Sequence, residues 1–327
     1  MNNILDLKDK KILYALDLNA RKSFKEIGRE VKLSKEVVNY RIKRMEALGI
    51  IKGYYTVINM TKLGYICNVF YVKLRDISIE KEKEMINYFI SDSKYWWVDS
   101  ADGYIDLGVG VWEKSIADAY KTRTELFTSF KQYFGKVMNV FYVNFYIYNK
   151  AYLLGKKTKE TKPIIYKLEE CIESDDTDKK ILDIISDKAR IPTVEIAKNI
   201  NLPISTVNFR LKKLIENKVI EGFRPILDLS KIGYYWYKVS FVLKDYTKKQ
   251  QILDFCSIHP NIVYAYETTG DYDLDIEMEV ESYERFRSII EEIKTKFKDT
   301  IESYDHLLWY KEHKLSFPIS QRETKHK

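Results

Sequence analysis

Lys35, Glu36, Asn39, Tyr40 and Lys43 stand at intervals that place them on one side of a helix. The amide of Asn39 has the donor and acceptor that pair with adenine, and an ammonium such as Lys43 can meet guanine or a phosphate. Such a face is chemically suited to a duplex major groove. Ser34 precedes it as a helix cap, and Arg41 and Arg44 sit at its margins. Arg41 lies next to the apolar side, so a structural ion pair and a phosphate contact are both open to it. The same arrangement returns downstream as Ser205, Thr206, Asn208, Phe209, Arg210, Lys212 and Lys213.

A second group with chemistry is the turn Thr269-Gly270-Asp271-Tyr272-Asp273. Glycine permits close backbone approach, free amides there can hold a carboxylate, and the aspartates can meet an amino group. Asp and Gly also favour plain turns, so a hairpin without a ligand fits as well. The first-half equivalent keeps Gly103 and Asp106 but carries Tyr104 and Ile105 between them. Metal and thiol chemistry have weaker support. Cys67, Cys171 and Cys256 form no C-x-x-C pair. His259, His306, His313 and His326 do not cluster with other ligand types. No metal and no cofactor are expected. No nucleophile–base constellation or phosphate loop is present either, so an enzyme is not expected.

The elements that must hold the basic face come in order. Ile4, Leu7, Ile12, Leu13 and Leu16 give a first apolar helical stripe. Ser23 and Glu26 form a capping box for a short second helix that buries Ile27 and Val31. Lys32-Leu33 makes the turn. Val38, Ile42, Met45 and Leu48 then give the third helix its packing side, and Gly49 ends it. Two helices, a tight turn and a third helix with a polar outer side is a helix-turn-helix layout. Ile50 to Ile58 alternates and suggests a β-wing.

This unit occurs twice. Asp9-Lys10-Lys11-Ile12-Leu13 returns as Asp178-Lys179-Lys180-Ile181-Leu182, and Gly64-Tyr65 as Gly233-Tyr234. Between those limits no gap is needed, and about a third of positions are identical. In the second copy Pro203 replaces Ser34 and Lys218 replaces Gly49, which predicts a less sharply made helix end. The net charge of the whole chain is +7. From Asp9 to Lys62 thirteen basic residues face six acidic ones, and from Asp178 to Lys231 eleven face seven. An acidic stretch, Glu169 to Asp178, precedes the second copy. Phosphate neutralisation should therefore be stronger in the first copy.

After each helical unit the pattern turns to alternating, aromatic-rich strands with two helices, in the order βαββαβ, a ferredoxin-like plan. In the first half the strands are Val69–Leu74, Tyr95–Ser100, Ile105–Trp112 and Val137–Tyr148. The fold class is therefore α+β, with two winged helix-turn-helix domains (1–62 and, with its linker, 156–231) alternating with two ferredoxin-like domains (63–155 and 232–327, the latter with a short basic tail). The polar segment Gly155 to Pro163 reads as the connector. The 26 tyrosines and five tryptophans, among them Trp96-Trp97 and Tyr234-Tyr235-Trp236-Tyr237, are expected mostly in strand cores and interfaces.

Asp9-Lys10-Lys11-Ile12-Leu13, Arg21, Glu26-Ile27, Leu33-Ser34, Val38-x-x-Arg41-Ile42-Lys43-Arg44-Met45-Glu46, Gly49-Ile50-Ile51 and Gly53-Tyr54 together resemble the opening domain of leucine-responsive regulatory proteins, the Lrp/AsnC family. The resemblance covers nearly the whole chain, twice over. It implies transcription regulators that bind double-stranded DNA as dimers and larger assemblies, often under the control of an amino acid lodged in the second module. The two halves could pair within one chain, or each with its equivalent in a second chain; a homodimer of tandem chains is the expectation, since like halves keep the self-complementary two-fold interface that closed assemblies usually use. Some proteins on the same plan are haem-precursor (sirohaem) decarboxylases. Their substrate's carboxylates call for pocket histidines or arginines, and neither Tyr95 to Gly103 nor Val263 to Gly270 carries any. A ligand-sensing assembly protein without DNA binding is the third reading, opposed by the basic outer face of the first copy. Met1 to Lys10 lacks the apolar core of a signal peptide, and no apolar run approaches membrane-spanning length. A cytoplasmic location is expected.

Overall fold

The computed structural model describes residues 4–155, 163–168, 170–316 and 319. His326, most of the connector, Glu169 and most of the basic tail lie outside them. Among the described residues no helix is long and apolar enough to cross a membrane.

Each half opens with three helices: α1 (Leu7–Leu18), α2 (Phe24–Val31) and α3 (Lys35–Ala47), then α6 (Asp176–Ser186), α7 (Thr193–Ile200) and α8 (Ile204–Glu216). The Ser23–Glu26 capping box forms, and Asp6 and Asp9 make another at the start of α1. Ser34 caps α3 by accepting from the Val37 amide at 3.3 Å. Lys32 makes its turn at φ +55°, matched by Asn201 at φ +53°. Lys218 departs from expectation. It adopts φ +58°, close to the +66° of Gly49, so α8 ends as α3 does although its side chain disfavours that conformation.

Strand β1 (Ile51–Ile58) is not half of a local wing hairpin. It pairs antiparallel with β7 (Ile220–Leu227) of the other half. In their register Tyr55 faces Arg224. These two residues are equivalents in the repeat, so a pseudo-two-fold axis passes between them. The flanking contacts obey it. The Ala20 amide donates to Phe223 O at 2.8 Å and the Ala189 amide to Tyr54 O at 3.1 Å. The Asn59 amide donates to Val219 O at 2.8 Å and the Asp228 amide to Ile50 O at 2.9 Å. Arg21 donates to Ala189 O and Ile191 O, while Arg190 donates to Ala20 O.

The remaining strands are β2 (Ile66–Leu74), β3 (Tyr95–Gly103), β4 (Leu107–Glu113), β5 (Phe134–Ile147) and β6 (Ile164–Tyr166), then β8 (Tyr235–Leu243), β9 (Ile262–Thr269), β10 (Leu274–Val280) and β11 (Ile301–Leu315). Each half makes the ferredoxin-like order, β5-β2-β4-β3 and β11-β8-β10-β9. β3 then pairs with β11, and β9 with β5, closing eight strands into a ring; β6 adds to the end of β5. Closure leaves these eight strands without a free edge. Helices α4 (Ile79–Ser91), α5 (Ile116–Phe130), α9 (Lys249–Ile258) and α10 (Tyr283–Lys296) cover the outside. Phe70, Val109 and Val111 pack there against Phe89 and Leu126, as Ile276 and Met278 do against Ile252 and Phe286. Alternate residues, among them Tyr71, Trp97, Tyr142 and Trp309, point the other way and fill the ring.

The expected pairing of each half with its equivalent in a second chain is therefore corrected: unlike halves pair within one chain. The physical reason lies at the pseudo-axis. Arg224 is buried and forms an ion pair with Asp17 at 3.3 Å. The repeat equivalent of Asp17 is Ser186. Two second halves would place Arg224 against Arg224 with Ser186 in the place of Asp17, and two first halves would leave Asp17 buried without its guanidinium. Both are expensive arrangements of buried charge.

Candidate nucleic-acid interface and sensor turns

The outer face of α3 is built as its spacing implies. Val38, Ile42 and Met45 are buried against α1 and α2. Ser34, Lys35, Glu36, Tyr40 and Lys43 are exposed, Tyr40 at 68%. Asn39 is half-buried, and its Oδ1 is shielded without a hydrogen-bond partner. On α8, Ser205, Asn208, Phe209, Lys212 and Lys213 are exposed and Thr206 is half-buried. Lys212 lies 3.6 Å from Glu216, which reduces its free charge.

The marginal arginines turn towards their own domains. Arg41 donates to Asp6 at 2.7 Å and to Asp9 at 2.9 Å, and Arg44 reaches Asp9 at 2.5 Å. Asp9 is fully buried, so these bonds fasten the third helix to the first. In the second copy Arg210 donates to Asp175 at 2.7 Å and Asp178 at 2.9 Å. The hydrogen bonds to these acids, Asp6 before Asp9 and Asp175 before Asp178, hold both guanidinium pKa values above the usual arginine range. Of the two roles open to Arg41, the structure shows the ion pair.

In the two glycine–aspartate turns, Asp106 and Asp273 clamp neighbouring backbone. Asp273 accepts the Leu243 amide at 2.7 Å and the Tyr246 hydroxyl. Its equivalent Asp106 accepts the Leu74 amide and the Lys73 ammonium, both at 2.7 Å. Tyr272 is buried and donates to Asp305 at 2.8 Å, while Thr269 and Asp271 are exposed. The glycines answer to strand closure. Gly103 and Gly270 have φ of +147° and +130°. A Cβ on Gly270 would stand 2.7 Å from Asn139 O on β5, and one on Gly103 2.9 Å from His306 O on β11. The sequence expectation at the Gly270 turn is approach to a ligand's carboxylate; the close approach that the structure shows at both glycines is that of the neighbouring strand.

Two groups escaped the sequence reading. One is the pair of reciprocal arginines, Arg21 and Arg190, which recur at the repeat distance. The other is the inner face of β10, where Asp275, Glu277 and Glu279 are buried between outward-facing Leu274, Ile276 and Met278. Strict alternation of acid and apolar residues in this segment was its available signal.

The winged helix-turn-helix DNA-binding family matches residues 5–52 and 174–221. The HTH-type transcriptional regulator FL11 of Pyrococcus horikoshii is 33% identical over 117 residues, 36% of this chain and 78% of that protein. The regulatory protein AsnC of Haemophilus influenzae is 27% identical over 135 residues, 41% of this chain and 89% of its own length. Each thus matches a segment smaller than half of this tandem chain. Among solved structures, the siroheme decarboxylase NirDL superposes with a TM-score of 0.60 at 14% identity, covering 97% of this chain and 96% of that one. That likeness is one of fold. With its two helix-turn-helix units, this chain belongs to the Lrp/AsnC family of transcriptional regulators.

Proposed function

We propose that this chain is a sequence-specific regulator of transcription that grips double-stranded DNA with two unlike reading helices, and that it is not an enzyme. The carrying observation is the exposed outer face of α3, joined to that of α8 across the pseudo-two-fold axis. Lys35-Glu36-x-x-Asn39-Tyr40 stands in one and Ile204-Ser205-x-x-Asn208-Phe209 in the other. One chain then reads two different half-sites spaced about one DNA turn apart. Light scattering and footprinting test this together. A monomer protecting one asymmetric site is the expected result. Protection that requires a dimer of chains on a palindrome would overturn it.

Catalysis on a polycarboxylate is disfavoured by the inside of the ring. Asp99, Asp275, Glu277 and Glu279 are all buried there, and the ammonium groups of Lys238 and Lys150 are already taken by Asp275 and Glu279 and so are not offered to a substrate's carboxylates.

An amino-acid effector acting through the exposed Asp271 is part of this proposal, since Asp106 and Asp273 already hold backbone amides. Calorimetry against the common amino acids should find a ligand whose binding Asp271→Ala abolishes while the melting curve stays unchanged. Silence across the whole set removes the effector.

A further inference from the structure

The ring encloses a cavity of about 90 Å³ whose walls include Trp96, Trp97, Tyr142, Trp236, Tyr266 and the carboxyl of Glu277. Tyr142 and Tyr266 stack within it at 4.4 Å. It adjoins a cleft of about 710 Å³ under the β1–β7 pair, and the two share Tyr55, Trp236, Tyr264, Glu312 and Leu315. These shared side chains form the boundary between the cleft and the cavity that Glu277 lines.

The charges around this space do not balance. Asp275 has Lys238 at 2.8 Å, Glu312 has Lys52 at 3.0 Å, and Glu279 has Lys150. Among the described residues, Asp99 and Glu277 have no ammonium within ion-pair distance. Each is held by an indole: Trp97 Nε1 donates to Asp99 at 2.6 Å and Trp236 Nε1 to Glu277 at 3.0 Å. Asp99 is fully buried, and its Oδ1 has no hydrogen-bond partner. Burial pushes the Glu277 carboxyl up to about 8 against the opposing pull of Lys238. Burial, and then Glu312, raises Asp99 well above the carboxylate range. A buried carboxyl without a cation is costly, and aromatic faces attract cations. A positive charge with an apolar body satisfies both demands.

We propose that this cavity binds a small organic cation, a primary amine carried on an apolar or aromatic body, with its ammonium against Glu277 and its body between the indole and phenol rings. The repeat makes this a property of one half. The first-half equivalents of Asp275 and Glu277 are Gly108 and Gly110, and their missing side chains make room for Trp309 and Trp96. Duplication has thus left one wall acidic and the other aromatic. The site does not depend on the DNA-binding reading.

The test is a titration of the full-length protein, followed by tryptophan fluorescence and calorimetry, with no DNA present. The probes are 2-phenylethylamine, its neutral counterpart 2-phenylethanol, and 3-phenylpropionate. The amine should bind saturably and at least about tenfold more tightly than the alcohol, the weight of one charge-assisted hydrogen bond. The carboxylate should not bind. Glu277→Gln keeps an oxygen for the Trp236 indole and should bring the amine down to the alcohol's affinity. Equal binding of amine and alcohol, unchanged amine binding by Glu277→Gln, or no saturable signal by about 10 mM would each overturn the proposal; a fitted ligand of about nine non-hydrogen atoms binds more tightly than that. Should Glu277→Gln fail to fold, the three probes on the unaltered protein decide the matter.

Discussion

Changing Asn39, Tyr40 and Lys43 together to alanine is expected to weaken binding to the operator by at least about a hundredfold, since each base contact is worth about 1–3 kcal/mol. The three stand on the outer side of α3, away from buried Val38, Ile42 and Met45, so the domain should keep its melting temperature. The matching change at Asn208, Phe209 and Lys212 should cost less. Phe209 lacks the hydroxyl of Tyr40, Lys212 is near Glu216, and the second copy carries less net positive charge. Gel shifts of both triple variants on one footprinted fragment provide the comparison. An equal or greater loss from the second set would end the proposed inequality of the two reading heads. The salt slope separates phosphate from base contacts: losing Lys43 should flatten it by about one, and losing Asn39 should leave it unchanged.

Asp17→Ala should destabilise the chain by about 3–5 kcal/mol, the usual penalty for leaving one member of a buried ion pair alone. Arg224 would remain buried, bonded to Tyr148 O at 2.9 Å and Asn149 Oδ1 at 3.2 Å but without its carboxylate. Asp17 also accepts the Lys150 amide at 2.8 Å, so its loss loosens the segment that follows β5. Urea unfolding of the full chain gives the number. Adding Arg224→Tyr removes the stranded charge and should restore part of the stability, so the double variant should be more stable than the sum of the single effects. Strict additivity would show that Asp17 and Arg224 do not depend on one another and would remove the charge argument for pairing of unlike halves.

Much of this architecture is written in short-range patterns. Ser23 and Glu26 announced a helix start, Val38, Ile42 and Met45 a buried side, and the period-two segments the four strands of each half. These are local demands of capping and burial, which neighbouring residues reveal. Partner choice is not local. The alternation of Ile50 to Ile58 identified a strand, but nothing in it said that Tyr55 would face Arg224 across a pseudo-axis. Arg41 shows the same limit at one side chain: its place beside the apolar stripe left two roles open, and the position of Asp9, a helix away, chose between them. Gly270 suggests a turn that approaches a ligand, and only the closed ring shows that β5 lies against it.

The pairing of β1 with β7 inside one polypeptide also changes how the regulator responds to its own abundance. An ordinary two-subunit regulator loses its active form when it becomes scarce, because the amount of dimer falls with the square of the subunit level below the dissociation constant. Here the two reading heads are covalently joined, so the partner's effective concentration is fixed by the chain and not by synthesis. On the proposed reading, in which one chain grips one site, occupancy follows the first power of the protein level. Dilution at cell division shifts it in proportion, without the threshold that subunit assembly imposes.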